Sequence, residues 1–314
     1  LTASTRSELR SMATWAPPRT ETFVRFCVRS RREPVAVPTE TVDGLAADAT
    51  NGTAVARIYA AKGRPSFNPL IVHVRDLEHA RRIARFEKAA VRLAGLYWPG
   101  PLTLVLPLVE EAPITPLVTA GLATVALRCP AHPAMRDLLE ATGRPLAAPS
   151  ANASGRISPT RAEHVLESLG GRIPMIVDAG QTTHGLESTI VAIADGQLRV
   201  LRPGPISLGE AEAPGSVIEA PGQMASHYAP AKSLRLNAVA AASDEWLIGF
   251  GAITGDRSLS RSGDCVEAAA NLFASLHEAD FQDRPRIAVA PIPEEGLGIA
   301  INDRLRRAAA PRLG

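Results

Sequence analysis

The run Lys62-Gly63-Arg64-Pro65-Ser66-Phe67-Asn68-Pro69-Leu70-Ile71-Val72-His73-Val74 changes character in its middle. Just before it, residues 53–62 place Val55, Ile58 and Tyr59 on one face of a helical period, with Thr50 or Asn51 set to cap. At its end, residues 70–74 form a short apolar run of the kind a buried strand shows. A helix that stops at a glycine, turns through prolines and enters a strand belongs to a chain alternating helix and strand.

The same alternation extends outward. Residues 35–37 read as a strand leading into Pro38-Thr39-Glu40-Thr41-Val42-Asp43-Gly44-Leu45. Residues 76–86 and 88–97 read as helices, stopped by Trp98-Pro99-Gly100-Pro101. Strands are expected at 102–106, 124–128, 146–148, 175–177, 188–193 and 198–201, and helices at 132–141 and 161–169. The alternation is imperfect and strands bunch near residue 200, so an open α/β fold with a mixed sheet is expected. Residues 203–232 are rich in Pro, Gly, Ser and Ala and read as a linker able to serve as a lid. Beyond it, strands at 245–250 and 286–290 and helices at 266–277 and 297–309 form a βαβα unit. The expected domains are therefore a loose extension over 1–20 (Met12 a candidate start), a catalytic domain over 21–202, the linker, and a smaller domain over 233–314.

With 314 residues, the chain has length for two cores. It is 46% hydrophobic and 21% charged, with net charge +2, so bulk charge does not argue for a nucleic-acid binder. Cys27, Cys129 and Cys265 are odd in number and far apart, offering neither a disulfide framework nor metal-ligand spacing. No apolar run approaches the ~18 residues of a membrane span, and residues 1–20 lack the apolar core of a secretory signal. A cytoplasmic protein without a membrane partner is the expectation.

Four clusters can carry chemistry. Lys62 and Arg64 make a cationic claw suited to phosphate oxygens, although a helix end with favourable cations and a glycine stop, a common arrangement, also explains them. Ala148-Pro149-Ser150-Ala151-Asn152-Ala153-Ser154-Gly155 has small residues whose N–H groups could cradle phosphate or ribose; a plain turn is the alternative. Ser188 and Thr189 open one strand, while Arg128 and Arg202 each end another, where binding residues gather. Ser226-His227-Tyr228-Ala229-Pro230 puts an aromatic in the linker, fit for a lid or a mere spacer. No G-x-x-x-x-G-K-[ST], G-x-S-x-G or H-E-x-x-H is present.

Together, PTETVDGL (38–45), KGRPSFNPLIVHV (62–74), WPGPLTLVL (98–106), TVALRCP (124–130), APSANASG (148–155), ESTIV (187–191), LRPG (201–204) and SHYAP (226–230) occur in the order of a known family. The chain resembles the YrdC-like family, and more closely its two-domain L-threonylcarbamoyladenylate synthases. EGLGIAINDRLRRAA (295–309) is similar to the closing helix of that form.

The resemblance implies an open twisted sheet with a cationic concave face, joined to a smaller Rossmann-like domain. It implies synthesis of threonylcarbamoyl-AMP and pyrophosphate from L-threonine, bicarbonate and ATP, with Mg2+ carried in by the triphosphate. The product would pass to a separate tRNA threonylcarbamoyl transferase complex, with at most weak tRNA contact by this chain. Thr39, His73, Arg128, Ser188 and Thr189 would contact threonine. Lys62, Arg64, Asn68, Thr124, Ser150, Asn152, Arg202 and Tyr228 would hold ATP, with Lys62 and Arg64 carrying the catalytic role. Asp43 stands where the family usually has tyrosine and would oppose triphosphate unless paired; Ala46 replaces a usual glycine in what reads as the same turn. Two other readings stay open. A carbamoyl-transfer enzyme of the hydrogenase-maturation type would carry an acylphosphatase-like region and zinc motifs, which are missing. A module binding double-stranded RNA or tRNA would bind with salt-steep affinity and no nucleotide turnover.

Overall fold

The computed structural model describes residues 12–14, 32–194, 196–208 and 219–311; Cys27 and most of the extension over 1–20 lie outside them. Ten strands build one sheet: β1 (Met12–Thr14), β2 (Val35–Val37), β3 (Gly44–Asp48), β4 (Ile71–His73), β5 (Leu102–Pro107), β6 (Thr124–Arg128), β7 (Leu146–Ala147), β8 (Ile176–Asp178), β9 (Thr189–Ala194) and β10 (Gln197–Arg202). Their spatial order is β1-β8-β2-β3-β7-β4-β6-β5-β9-β10. Parallel pairs such as β4–β6 and β5–β9 sit beside antiparallel ones such as β5–β6 and β9–β10, so the sheet is mixed, as the bunched strands foretold. Met12–Thr14, within the stretch expected to be loose, pairs with β8 at the sheet's edge.

Side chains alternate between the faces of a strand, and here the alternation separates core from site. Ala36, Leu45, Ala47, Val72, Leu102, Leu104, Val125, Leu127, Ala147 and Val191 belong to one apolar cluster. It is completed by α1 (Gly52–Lys62), α3 (Lys88–Tyr97) and α6 (Ala162–Leu169), with α2 (Leu77–Arg81) and α4 (Pro116–Thr119) adding to it. Burial of each large aliphatic there contributes roughly 1.5–3 kcal/mol. On the opposite face, α5 (Pro133–Thr142) packs Met135, Leu138 and Leu139 on Val35, Val37, Ala46 and Leu146. Farther along that face, Ile71, Val105, Ala126, Ile190 and Ala192 meet Ala220 of the linker. The cavity opens between these two coverings.

Helix α1 is set by its ends. Asn51 Oδ1 accepts from the N–H groups of Thr53 (3.0 Å) and Ala54 (3.2 Å). Gly63, at φ 59°, closes the other end, with Arg64 N–H bonded to the Tyr59 carbonyl at 3.0 Å. Two elements depart from expectation. The helix at 76–86 stops at Arg81, because the next residues bridge to the end of β5: Arg85 N–H reaches the Pro107 carbonyl and Val109 N–H the Ile83 carbonyl. Gly44–Asp48 is a buried strand, so Ala46 lies in a ladder opposite Val35 and not in a turn.

The second sheet is parallel, with β11 (Ser233–Arg235), β12 (Glu245–Gly249), β13 (Arg257–Ser258) and β14 (Arg286–Val289) in the order β11-β14-β12-β13. Helices α7 (Cys265–Phe281) and α8 (Leu297–Ala309) pack on it. β11 and β13 extend the expected βαβα unit. The core of this domain includes Val42, Ile157, Leu186 and Tyr228, so it continues into the first domain and the linker.

Candidate functional site

Register carries the polar residues to one place. Leu146, His73, Arg128, Thr103, Ile190 and Arg202 are successive partners across β7, β4, β6, β5, β9 and β10. His73 and Arg202 stand four strand intervals apart, roughly 19 Å along the sheet. A register shift between Val200 and Arg202 lets Leu201 and Arg202 both serve this face. The cavity above the row is lined by Thr39, His73, Arg128 and Ser188, and by Arg64, Ser150, Arg202 and Tyr228.

Arg64 and Arg202 set its charge. Arg64 donates to the Asn68 carbonyl (3.1 Å), Asn68 Oδ1 (2.6 Å) and the Pro69 carbonyl (2.8 Å). Arg202 donates to the Ser188 carbonyl from Nε (3.1 Å) and Nη2 (2.9 Å) and to Ser188 Oγ (3.1 Å). Both are buried, and among the described residues neither forms a salt bridge to a carboxylate. Burial accordingly brings the Arg64 guanidinium down to about 10 and lowers Arg202 too. A buried cation paired only with neutral oxygens favours an incoming anion. His227, in the same wall, reports this field: burial, then Arg64, Lys62, Arg202 and Arg304, hold it well below the usual imidazole range.

Lys62 goes elsewhere. The left-handed turn at Gly63 parts it from Arg64, and its Nζ donates to the carbonyls of Ser150 (2.6 Å) and Asn152 (2.5 Å), behind the cavity wall. The expected claw is thus divided: Arg64 faces the cavity and Lys62 pins the loop that forms its side. Burial and then Arg64 lower the Lys62 ammonium strongly. That loop spends its own N–H groups internally, Ala151 on the Asp43 carbonyl, Ala153 on Ser168 Oγ and Ser154 on the Lys62 carbonyl. Only Ser150 is left to face a ligand from among its expected donors, since Asn152 Nδ2 folds back on the Ala153 and Arg156 carbonyls.

Thr39, Thr41 and Arg128 form the other end. Thr39 Oγ1 donates to the Val42 carbonyl (2.6 Å), and Thr41 Oγ1 accepts from Arg128 Nη1 (2.8 Å). Arg128 Nη2 meets Glu40 Oε1 at 2.6 Å, while Glu40 Oε2 accepts from the N–H groups of Ala131 and His132. Burial alone would raise the Glu40 carboxyl, but Arg128 outweighs it and holds it at about 2. His73 is held at about 3 by burial and Arg128, so it is neutral at pH 7; neither ring nitrogen has a hydrogen-bond partner.

Asp43 does not face the cavity. Its carboxyl is buried beside Asp178 and Glu163, with no salt bridge to a cation among the described residues, and burial first, then those two neighbours, pushes it well above its ordinary value. It therefore poses no direct threat to a triphosphate. A carboxyl with a raised folded value destabilises the fold as pH climbs from the ordinary range, near 4, through that value. Asp43→Asn is expected to stabilise the chain by roughly 1–3 kcal/mol at neutral pH and by little at pH near 4. Thermal unfolding at both pH values checks this; an equal effect at each would refute it.

Gly204 explains the LRPG turn. A Cβ there would lie 2.5 Å from Thr189 N and 2.7 Å from the Glu187 carbonyl, so any side chain would push the start of β9 and Ser188 out of place.

Other expected contacts fall outside the lining. Asn68 receives Arg64 and reaches Met224 Sδ (3.4 Å), and Thr189 Oγ1 exchanges hydrogen bonds with Ile206 (2.9 Å). Thr124 lies on the same face as Arg128 but at the far end of β6. Conversely, Thr41, Glu187 and His227 line the cavity and Glu40 supports it, although no role was expected of them. A carboxylate inside motifs meant for a triphosphate was the available signal, because such a group needs a cation partner.

A family model described as "Telomere recombination" matches residues 29–204, and one described as "Threonylcarbamoyl-AMP synthase, C-terminal domain" matches residues 186–310. A threonylcarbamoyl-AMP synthase of Pyrococcus abyssi is 39% identical over 311 residues, covering 89% of this chain and 91% of the relative. One from Bacillus subtilis is 39% identical over 314 residues, covering 90% of each. The crystal structure of P. abyssi Sua5 complexed with L-threonine superposes with a TM-score of 0.85 at 36% identity, over 95% of this chain and 96% of that one. With both domains matched, in sequence and in fold, the chain belongs to the threonylcarbamoyl-AMP synthase family in its two-domain form.

Proposed function

We propose that this chain is a nucleotidyltransferase that makes threonylcarbamoyl-AMP and pyrophosphate from L-threonine, bicarbonate and ATP, for threonylcarbamoyladenosine modification of tRNA. The observation that carries the reading is the placement of Arg64 and Arg202, buried and, among the described residues, without a salt bridge to a carboxylate, in one cavity with Thr39, His73 and Arg128. The triphosphate belongs at Arg64 and Arg202, where its charge replaces a missing counter-ion. Threonine belongs toward Thr39, His73 and Arg128, where the unpartnered His73 nitrogens can take part in hydrogen bonds.

The threonine amine adds to CO2 with loss of a proton, or condenses with bicarbonate with loss of water, and the resulting N-carboxylate oxygen attacks the α-phosphorus as the bond to the leaving pyrophosphate breaks. Positioning and neutralisation of the triphosphate supply most of the rate. Both oxygens of Glu187, the cavity's carboxylate, are taken by Arg304 and Ser158. This suits Mg2+ arriving on the triphosphate and not on a protein cage; when bound, it neutralises phosphate charge. The N-carboxylate is labile, and Pro221, Gly222, His227 and Tyr228, which line the cavity, are suited to exclude water from it. In this reading the adenylate goes on to a tRNA threonylcarbamoyl transferase complex, tRNA contact by this chain is weak, and the site of action is the cytoplasm. Among the described residues no helix is long and apolar enough to cross a membrane.

Mass spectrometry of products from ATP, bicarbonate and a panel of amino acids tests the proposal. Threonylcarbamoyl-AMP is expected only when threonine and bicarbonate are both supplied. ATP consumption indifferent to either would sink it.

A further inference from the structure

Charge is unevenly spread around the cavity. Arg64 and Arg202 form no salt bridge to a carboxylate among the described residues, and Glu187 spends its charge on Arg304 at 2.9 Å. Arg128 differs from the other two arginines of the lining. Its Nη2 meets Glu40 Oε1 at 2.6 Å, both side chains being buried, while Nη1 donates to Thr41 Oγ1 (2.8 Å) and Nε to the Gly100 carbonyl (3.2 Å). Arg128 and Thr41 line the cavity, and Glu40 stands behind them. Glu40 is itself fixed at both ends. Its Oε2 accepts from the N–H groups of Ala131 (3.1 Å) and His132 (3.3 Å), and its own carbonyl accepts from His184 N–H (2.8 Å) and Thr183 Oγ1 (3.2 Å). The imidazoles of His73, His132 and His184 around the pair are each lowered, by burial first, so they add no charge at neutral pH. One end of the cavity therefore carries two uncancelled cations, and the other a cancelled pair.

We propose that Glu40 is a positioning residue that decides which substrate each end accepts: by cancelling Arg128 it reserves that end for a net-neutral, zwitterionic amino acid and turns phosphate groups away to Arg64 and Arg202. The role rests on the adenylate-forming reading of the cavity. An amino acid at neutral pH brings a carboxylate to the Arg128 donors that Glu40, Thr41 and Gly100 leave over, and an ammonium that keeps the complex neutral. A phosphate would bring its charge beside the Glu40 carboxylate with nothing left to balance it, and like charges brought together in a buried site cost affinity. At Arg64 and Arg202 the same phosphate meets cations that lack a carboxylate partner. Without Glu40 all three arginines would be uncancelled, and charge would no longer tell the two ends apart.

The test is threonine binding by titration calorimetry on the full chain, with and without millimolar inorganic phosphate. The magnesium complex of a non-hydrolysable ATP analogue is present throughout, so that Arg64 and Arg202 are already occupied. In the parent chain phosphate is expected to change the threonine Kd by less than about twofold, and in Glu40→Gln to raise it on the order of tenfold by direct competition. Glu40→Asp keeps the charge on a shorter arm. It is expected to weaken threonine binding while still excluding phosphate, a separation that a merely structural role would not produce. Phosphate competing with threonine in the parent, failing to compete in Glu40→Gln, or competing as strongly in Glu40→Asp as in Glu40→Gln would each overturn the proposal. The parent arm needs no variant, so it decides the matter even if Glu40→Gln is too unstable to titrate. A parent chain that binds no threonine would sink the adenylate-forming reading and this role with it, whereas ordinary threonine binding that phosphate displaces would sink the role alone.

Discussion

Arg64→Ala is expected to cut pyrophosphate release by on the order of 10²–10³-fold or more, with the fold intact. The size follows from what Arg64 lacks. Its guanidinium is buried and donates to neutral oxygens of Asn68 and Pro69, with no carboxylate salt bridge among the described residues, so on the proposed reading ATP supplies the anion and removal takes away a preorganised donor fork. The fold survives because those bonds are local, and the cap of α1 uses the backbone N–H of residue 64, which alanine keeps. Lys62→Ala should also fall in activity by another route, through release of the Ser150 and Asn152 carbonyls. Steady-state pyrophosphate release with a thermal unfolding scan checks the pair. Normal turnover in Arg64→Ala would refute its place on the triphosphate.

Glu40→Gln is expected to cost about 3–5 kcal/mol of stability at neutral pH, because it strips the counter-ion from a buried guanidinium. The pH dependence has a definite sign. The Glu40 carboxyl is lowered from 4.5 to about 2, so its contribution is complete above the unfolded value and disappears as pH falls from 4.5 through 2. At about 1.4 kcal/mol per unit, that window holds roughly 3 kcal/mol. Denaturant unfolding at neutral pH and near pH 2 should show a wide gap between parent and variant at the first and a small one at the second. A gap of equal width at both would refute the pair's role.

The sequence discloses α1 and β4 because each carries its own punctuation: an asparagine cap, a glycine stop and an apolar run after two prolines. Gly44–Asp48 hides, since Gly-Leu-Ala-Ala-Asp has little strand propensity and is a strand only through burial between neighbours. β11 and β13, of three and two residues, are too short to show a period. In the site, Arg64, Arg128 and Arg202 are legible as cations at element ends. The parting of Lys62 from Arg64 depends on one left-handed residue, and Glu40 finds Arg128 across 88 positions, a pairing no local pattern encodes. That Val42, Ile157 and Leu186 belong to the core of the second domain is likewise a product of docking, invisible along the chain.

The transverse row from His73 to Arg202 ties catalysis to correct assembly of the ladder. Slipping β4 or β6 by a single position would turn His73 or Arg128 toward the helical layer and bring an apolar neighbour up in its place. A misthreaded molecule would then be compact yet silent, and a preparation's specific activity would count the correctly threaded fraction.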